Sequence, residues 1–151
     1  MAIRGRAKIL TTSSTGKNPE AYVDTSALIS FLDRSDSHHF LFRRLFASPP
    51  KLVTTPLVVA EGHAWFLRRF DRTRALQFLS VVDEMRPLRV LSLAPKDVSE
   101  ATEVLRRYHD QDLTLVDALG LRVMAERRIS ACWSTDVHLS LDGAHLVIHG
   151  S

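Results

Sequence analysis

The stretch AYVDTSALISFL, residues 21–32, passes from a short β-like run into a helical pattern, with Asp24 at the junction. The same change recurs along the chain, since four further β-like runs alternate with segments whose apolar residues follow a helical period. The β-like runs cover residues 21–24, 52–54, 89–93, 130–134 and 145–148, and the helical segments cover residues 26–32, 37–46, 56–70, 73–84, 95–108 and 114–127. Strands separated by helices predict βα units and a parallel sheet that is buried on both faces.

Length and composition fit a single globular domain. The chain has 151 residues, of which 45% are hydrophobic, and no apolar run reaches the ~18 residues of a membrane span. The N-terminal segment has no long apolar core of a secretory signal, and the single Cys132 excludes an internal disulfide. We therefore expect a cytoplasmic protein with no membrane partner.

Positive charge is concentrated in two places. Of the net charge of +3, residues 1–19 supply +4, which leaves −1 for residues 20–151. We predict that residues 1–19 form a basic flexible tail and that residues 20–151 fold as one domain. A second basic group inside the domain fits either contact with phosphates or a solvated helix end and loop; it comprises Arg68, Arg69, Arg72 and Arg74.

Four carboxylates lie in the most apolar stretches of the chain, near the points where strands pass into helices. They are Asp24, Glu61, Asp117 and Asp136. A buried ionised side chain is costly unless a positive group pairs with it, and none of these four apolar segments contains lysine or arginine. A divalent cation held by all four would solve this problem, and all-oxygen ligands favour Mg²⁺ or Mn²⁺. The pattern therefore predicts a metal-dependent enzyme that acts on phosphates.

Each carboxylate also has a structural alternative. Asp24 and Asp136 could simply cap the helices that follow them. Asp117 could complete a variant capping box with Thr114. Glu61 lies too far inside its helix to be a cap, and its helical neighbours are apolar, so a role in a site is favoured for it.

The expected fold brings the four carboxylates together. If the strand order reverses between the first and fourth strands, Asp24 and Asp136 lie side by side, and ligands bind at that edge of the sheet. Asp117 would reach in from the first turn of its helix, where Gly120 leaves space beside it, and Glu61 would reach in from another helix. Other polar residues rank lower, as supporting groups near the site: Ser26, Thr135, Asp112 and, least favoured, His138.

These motifs resemble the PIN domain, and in particular the VapC-type toxins of bacterial toxin–antitoxin pairs. YVDTSALISFL resembles the family's opening strand with its first acid, the helix around Glu61 resembles its second motif, and STDVHL resembles its closing T-x-D-x-x-F motif. DLTLVDALGL is the most specific segment, because it is close to the family's D-L-[ST]-x-x-D-A pattern. Two features depart from the family: Leu139 replaces an aromatic residue, and the basic segment 1–19 precedes the first strand.

The resemblance implies a three-layer α/β/α sandwich with a mainly parallel central sheet, dependence on Mg²⁺ or Mn²⁺, and cleavage of single-stranded RNA. It carries the family's acids onto Asp24, Glu61, Asp117 and Asp136. It also implies a homodimer and a small antitoxin protein that blocks the acidic site. We therefore expect a metal-dependent endoribonuclease, the toxin of such a pair, in which residues 1–19 help to capture RNA.

Two other functions fit parts of the same pattern. A receiver-type phosphoacceptor would need a lysine at the end of the last strand, and residues 145–150, HLVIHG, contain none. A non-catalytic PIN-like module that binds RNA or a protein partner stays open, because a complete set of acids does not have to be active.

Overall fold

The computed structural model describes residues 18–149, and these residues form a five-stranded sheet with six helices. The strands are β1 (Asn18–Val23), β2 (Leu52–Thr54), β3 (Leu88–Val90), β4 (Ile129–Trp133) and β5 (His145–Leu146). The helices are α1 (Thr25–Leu32), α2 (His39–Ala47), α3 (Pro56–Arg69), α4 (Arg72–Glu84), α5 (Pro95–Arg107) and α6 (Leu115–Arg127), and short 3-10 turns cover Val137–Ser140 and Val147–His149. The strand order is β3-β2-β1-β4-β5 and every pairing is parallel, so the predicted α/β/α fold is confirmed.

The order of the strands reverses between β1 and β4. The chain first extends the sheet from β1 through β2 to β3, and then returns to add β4 and β5 on the other side of β1. The carboxyl ends of all five parallel strands therefore meet at one edge, where ligands bind in sheets of this kind. The predicted adjacency of the first and fourth strands is confirmed, and the pairing of Val23 with Trp133 defines its register.

The central strand is buried on both faces. Ala21, Tyr22 and Val23 are each 2% exposed or less, and their neighbours Val53 and Cys132 are equally buried. A polar side chain at the end of this strand therefore has little access to water, which makes its ionised form costly.

Helix starts follow the signals in the sequence. The Thr55 side chain caps α3 by accepting a hydrogen bond of 3.4 Å from the amide of Val58, and Pro56 occupies the first helical position. At the start of α5 the Asp97 carboxylate accepts a hydrogen bond of 2.6 Å from the amide of Ala94. Both predicted starts are confirmed.

Several boundaries differ from the prediction. β1 begins at Asn18, three residues earlier than expected, and β5 has only two residues before the chain turns into a 3-10 turn. The β5 segment is shorter because it pairs with β4 at only two positions along the sheet edge. Residues 1–17, which make up most of the predicted tail, lie outside the described residues. Among the described residues, no helix is both long and apolar enough to cross a membrane.

Candidate active site

Asp24 follows β1 directly and lies at the edge where the strand order reverses. Its side chain is 5% exposed and does not cap α1; instead its Oδ2 accepts hydrogen bonds of 2.9 Å from the hydroxyls of Ser26 and Ser134. Burial raises the pKa of Asp24 to about 6, and the negative charge of Asp117 adds to the rise, although the two serine hydroxyls oppose it. This carboxylate is therefore held in place while its charge remains largely uncompensated.

Ser134 links two strands at this edge. Its fully buried hydroxyl donates to Asp24 and accepts a hydrogen bond of 2.9 Å from the backbone amide of Asp136. Ser26 connects the same two segments: its hydroxyl donates a hydrogen bond to Asp24 and accepts one of 3.0 Å from the amide of Thr135. The oxygens of Ser26 and Ser134 also lie 3.1 Å apart. Each hydroxyl has one proton, and both protons are donated to Asp24, so the two serines do not form a hydrogen bond with each other.

Asp117 is the third residue of α6 and forms a capping box with Thr114. The Thr114 hydroxyl accepts a hydrogen bond of 3.1 Å from the Asp117 amide, and Oδ2 of Asp117 accepts a hydrogen bond of 3.0 Å from the Thr114 amide. The predicted variant box is confirmed. The expected space beside Gly120 is not open, because a Cβ at that position would lie 2.9 Å from the hydroxyl of Tyr22.

Asp136 begins the 3-10 turn that follows β4 and is half-buried. Its Oδ1 accepts a hydrogen bond of 3.0 Å from the backbone amide of His138 and lies 3.1 Å from Nδ1 of the same residue. One ligand atom from each of Asp117, Asp136 and His138 lies within 4.8 Å of the others, which is close enough for one shared cation. Asp24 and Glu61 are not in this group, although the charge of Asp117 acts on Asp24.

Glu61 is half-buried on α3, the helix that follows β2. Within residues 18–149 its carboxylate has no hydrogen bond and no ion pair. The Glu61 carboxylate is therefore available for another contact.

The lower-ranked residues separate into two groups. Ser26 and Thr135 belong to the serine network around Asp24. Asp112, by contrast, is exposed in the loop before α6 and does not cap that helix, because Thr114 does so.

Ser134 is a residue of this edge that the sequence pattern did not single out. Because Val23 pairs with Trp133, the residue opposite Asp24 is Ser134, and Asp136 lies two residues further along. Asp24 and Asp136 thus lie near the ends of neighbouring strands, and the Ser134 hydroxyl connects the Asp24 side chain to the Asp136 amide. The S-x-D spacing of Ser134 and Asp136 after a buried strand was the available signal.

No lysine or arginine within the described residues forms an ion pair with Asp24, Asp117 or Asp136. Burial raises the pKa of the nearby Tyr22 hydroxyl and Cys132 thiol well above their ordinary values, so both stay neutral. Among the described residues, the basic side chain within ion-pair distance of these three carboxylates is that of His138, beside Asp136.

Residues 21–140 match the family model of the PIN domain. Among curated proteins, the chain is similar to the 23S rRNA-specific endonuclease VapC20 of Mycobacterium tuberculosis, from the strains CDC 1551 and H37Rv, with 28% identity over 123 residues. The alignment covers 81% of this chain and 93% of VapC20.

Two solved structures have the same architecture. The crystal structure of Mycobacterium tuberculosis VapC20, described as a sarcin–ricin loop cleaving toxin, superposes with a TM-score of 0.77 and 25% identity, covering 84% of this chain and 98% of that one. PAE2754 from Pyrobaculum aerophilum superposes with a TM-score of 0.60 and 20% identity, covering 86% of this chain and 92% of that one. The second similarity concerns the fold alone.

Proposed function

Because this chain belongs to the PIN domain family, as its motifs predicted, we propose that it is a Mg²⁺- or Mn²⁺-dependent endoribonuclease of the VapC toxin type. The observation that carries the proposal is the grouping of Asp117, Asp136 and His138 within 4.8 Å, next to the buried Asp24. The similar VapC20 proteins are 23S rRNA-specific endonucleases, which supports RNA as the substrate.

The donor groups fit a hard divalent cation. Carboxylate oxygens dominate the site, and within the described residues no arginine or lysine neutralises them. A cation bound there would lower the pKa of the attacking water and stabilise the charge on the leaving oxygen.

In this proposal the cation would be held by Asp117, Asp136 and Asp24. The capping box occupies Oδ2 of Asp117, which leaves its Oδ1 without a hydrogen bond. Likewise, Ser26 and Ser134 both donate to Oδ2 of Asp24, so its Oδ1 accepts no hydroxyl proton. These contacts fix each carboxylate while one oxygen remains for a ligand.

Glu61 would orient the attacking water or bind a second cation. Its half-buried carboxylate has no partner among the described residues and can therefore accept a proton or a metal contact. Its position on α3, outside the closest group of donors, suits a group that acts on the water rather than on the first cation.

We also propose a small antitoxin and a second copy of the chain as protein partners, as in the VapC toxins. On α2, Phe40 is 75% exposed and therefore available to a partner. Phe46, however, packs against Phe31 and Trp133, with ring centroids 4.6 and 4.9 Å away. Phe42 is fully buried, so the aromatic surface that α2 offers to a partner consists mainly of Phe40.

Cleavage of RNA by the purified chain tests the proposal. We expect products with Mg²⁺ or Mn²⁺, none with chelator, and near-complete loss in Asp24→Asn and Asp136→Asn. Asp83→Asn is the matched control, since Asp83 is exposed on α4 and has no ion pair in the described chain. Asp142 is unsuitable for this purpose, because its carboxylate accepts hydrogen bonds from Tyr108 and Arg107. RNA binding without metal-dependent cleavage would instead favour the non-catalytic module.

A further inference from the structure

An open pocket of about 730 Å³ lies where α1 and α3 end and α4 begins. It shares no residue with the carboxylate site. Its wall combines three arginines with one aromatic ring and one acid; the main lining residues are Leu32, Asp33, Arg34, Arg69, Phe70 and Arg74.

The three arginines give the pocket more positive charge than its single acid balances. Within residues 18–149, Arg34, Arg69 and Arg74 form no ion pair. Asp33, the acid of the pocket, accepts hydrogen bonds of 3.0 and 2.7 Å at Oδ1 from the amide and hydroxyl of Ser35. Against the effect of burial, these bonds and the charge of Arg69 lower the pKa of Asp33, so this carboxylate is negative at neutral pH. Three guanidinium groups against one carboxylate leave the pocket with a net charge of +2, which would attract an anion.

Phe70 supplies an exposed ring between these cations. It is 40% exposed, and the guanidinium carbons of Arg69 and Arg74 lie 5.0 and 5.6 Å from its ring centroid. The ring also packs against Trp65 and Phe66, whose centroids are each 6.0 Å away. Nucleic acid bases stack on aromatic rings and on guanidinium planes, and phosphates pair with arginine, so this combination matches both parts of a nucleotide.

The pocket lies within a few nucleotides of the carboxylate site. The eight residues of α1 separate Asp24 from Asp33, and seven residues of α3 separate Glu61 from Arg69. At 1.5 Å per residue each path is about 12 Å long. Charges on one strand of a duplex are spaced by about 3.4 Å along the helix axis, and successive phosphates of an extended single strand are farther apart, so this distance spans at most about four nucleotides.

We propose that this pocket is a subsite for the RNA substrate, which binds one phosphate and its adjoining base away from the scissile bond. The inference rests on the proposed ribonuclease function. A protein partner with acidic side chains would use the arginines but would leave the flat ring without a matching surface, so the combination favours RNA.

Binding of a short labelled single-stranded RNA in chelator tests the subsite, because affinity is then measured without cleavage. Full-length wild type is compared with Arg69→Gln, Arg74→Gln and Phe70→Leu, which keeps apolar volume against Phe66 but removes the ring. Arg86→Gln is the control, since Arg86 is an exposed, unpaired arginine outside the pocket. Thermal unfolding of each variant establishes that it is folded.

Each arginine variant should weaken RNA binding and reduce the log–log salt slope by about 0.7 for each phosphate that is no longer neutralised. Phe70→Leu should weaken binding roughly tenfold with the slope unchanged, because stacking carries no charge. Wild-type affinity and slope in all three folded variants would overturn the subsite, as would an equal loss in Arg86→Gln. Weakened binding of an acidic protein partner with unchanged RNA binding would assign the pocket to that partner. A chain that binds RNA here but never cleaves it would contradict the proposed function and leave the subsite standing.

Discussion

Asp24 and Ser134 lie opposite each other at the ends of β1 and β4, joined by a hydrogen bond of 2.9 Å from the Ser134 hydroxyl to Oδ2 of Asp24. The same hydroxyl accepts a hydrogen bond of 2.9 Å from the amide of Asp136. A single buried hydroxyl thus connects two carboxylates of the candidate site, one on each side of the point where the strand order reverses.

We predict that Ser134→Ala alters the pH dependence of RNA cleavage. The Ser134 hydroxyl lowers the pKa of Asp24, so its removal should raise that pKa further above 6. The acidic limb of the pH–rate profile should therefore move to higher pH. The amide of Asp136 also loses its acceptor, which should cost about 1–3 kcal/mol of stability.

Ser99→Ala is the control for that experiment. Ser99 is exposed on α5 and its hydroxyl donates only to the Pro95 carbonyl in its own helix, so both the profile and the stability should match wild type. An unchanged acidic limb in folded Ser134→Ala would show that this hydroxyl does not tune Asp24.

Asp24 should make the metal-free protein less stable at neutral pH than in mild acid. Burial raises its pKa from an ordinary value of 3.8 to about 6, so between about pH 4 and 6 the folded state binds a proton that the unfolded state lacks. Stability contributed by this group is therefore lost as pH rises through 6. The full loss amounts to about 3 kcal/mol, of which about 2 kcal/mol falls between pH 4.5 and 7, and it should be absent in Asp24→Asn. Denaturant unfolding of both proteins in chelator at pH 4.5 and 7 measures the difference, with Asp83→Asn as control; parallel pH curves for wild type and Asp24→Asn would contradict it.

The sequence was sufficient for the architecture. Alternation of short apolar runs with helical patterns predicted the parallel sheet, and the first and fourth strands are neighbours, which was the condition for bringing Asp24 and Asp136 to one edge. These features depend on local pattern and on the cost of burying charge, both of which can be evaluated along the chain.

The details that sequence reasoning missed depend on tertiary geometry. Register decides that Ser134 and not Asp136 lies opposite Asp24. The void expected beside Gly120 is filled by Tyr22, which comes from a distant part of the chain. Likewise, the sequence shows that Arg69 and Arg74 are basic but not that both contact Phe70. That contact depends on the turn between α3 and α4, which places both guanidinium groups over the ring.

Gly120→Ala should destabilise the protein and disturb the site. A Cβ at position 120 would lie 2.9 Å from the Tyr22 hydroxyl and 3.0 Å from its ring, and Tyr22 is fully buried and has little freedom to move. Overpacking of this kind costs about 1–3 kcal/mol. Because α6 also carries Asp117, its displacement should weaken metal binding as well. Unfolding and metal titration measure both effects, and wild-type values for both would contradict the close packing of Tyr22 on α6.

Added Mg²⁺ or Mn²⁺ should stabilise the fold. The cation relieves the uncompensated charge of the carboxylates and binds only the folded state, so at a hundred times its Kd it should add about 2.7 kcal/mol. We expect a rise in Tm for wild type and Asp83→Asn, and little or no rise for Asp117→Asn and Asp136→Asn. A rise of equal size in all four proteins would place the cation elsewhere.

His138→Ala separates two roles for this histidine. Its Nδ1 lies 3.1 Å from Oδ1 of Asp136, so it either orients that carboxylate or binds the cation with it. Hard cations prefer oxygen ligands, and we therefore predict that His138 orients Asp136. His138→Ala should then weaken Mg²⁺ binding far less than Asp117→Asn does. In the variant, the backbone amide of residue 138 can still donate its hydrogen bond of 3.0 Å to Asp136, which keeps the turn in place. Calorimetric titration of both variants with Mg²⁺ checks the prediction, and losses of equal size would make His138 a ligand.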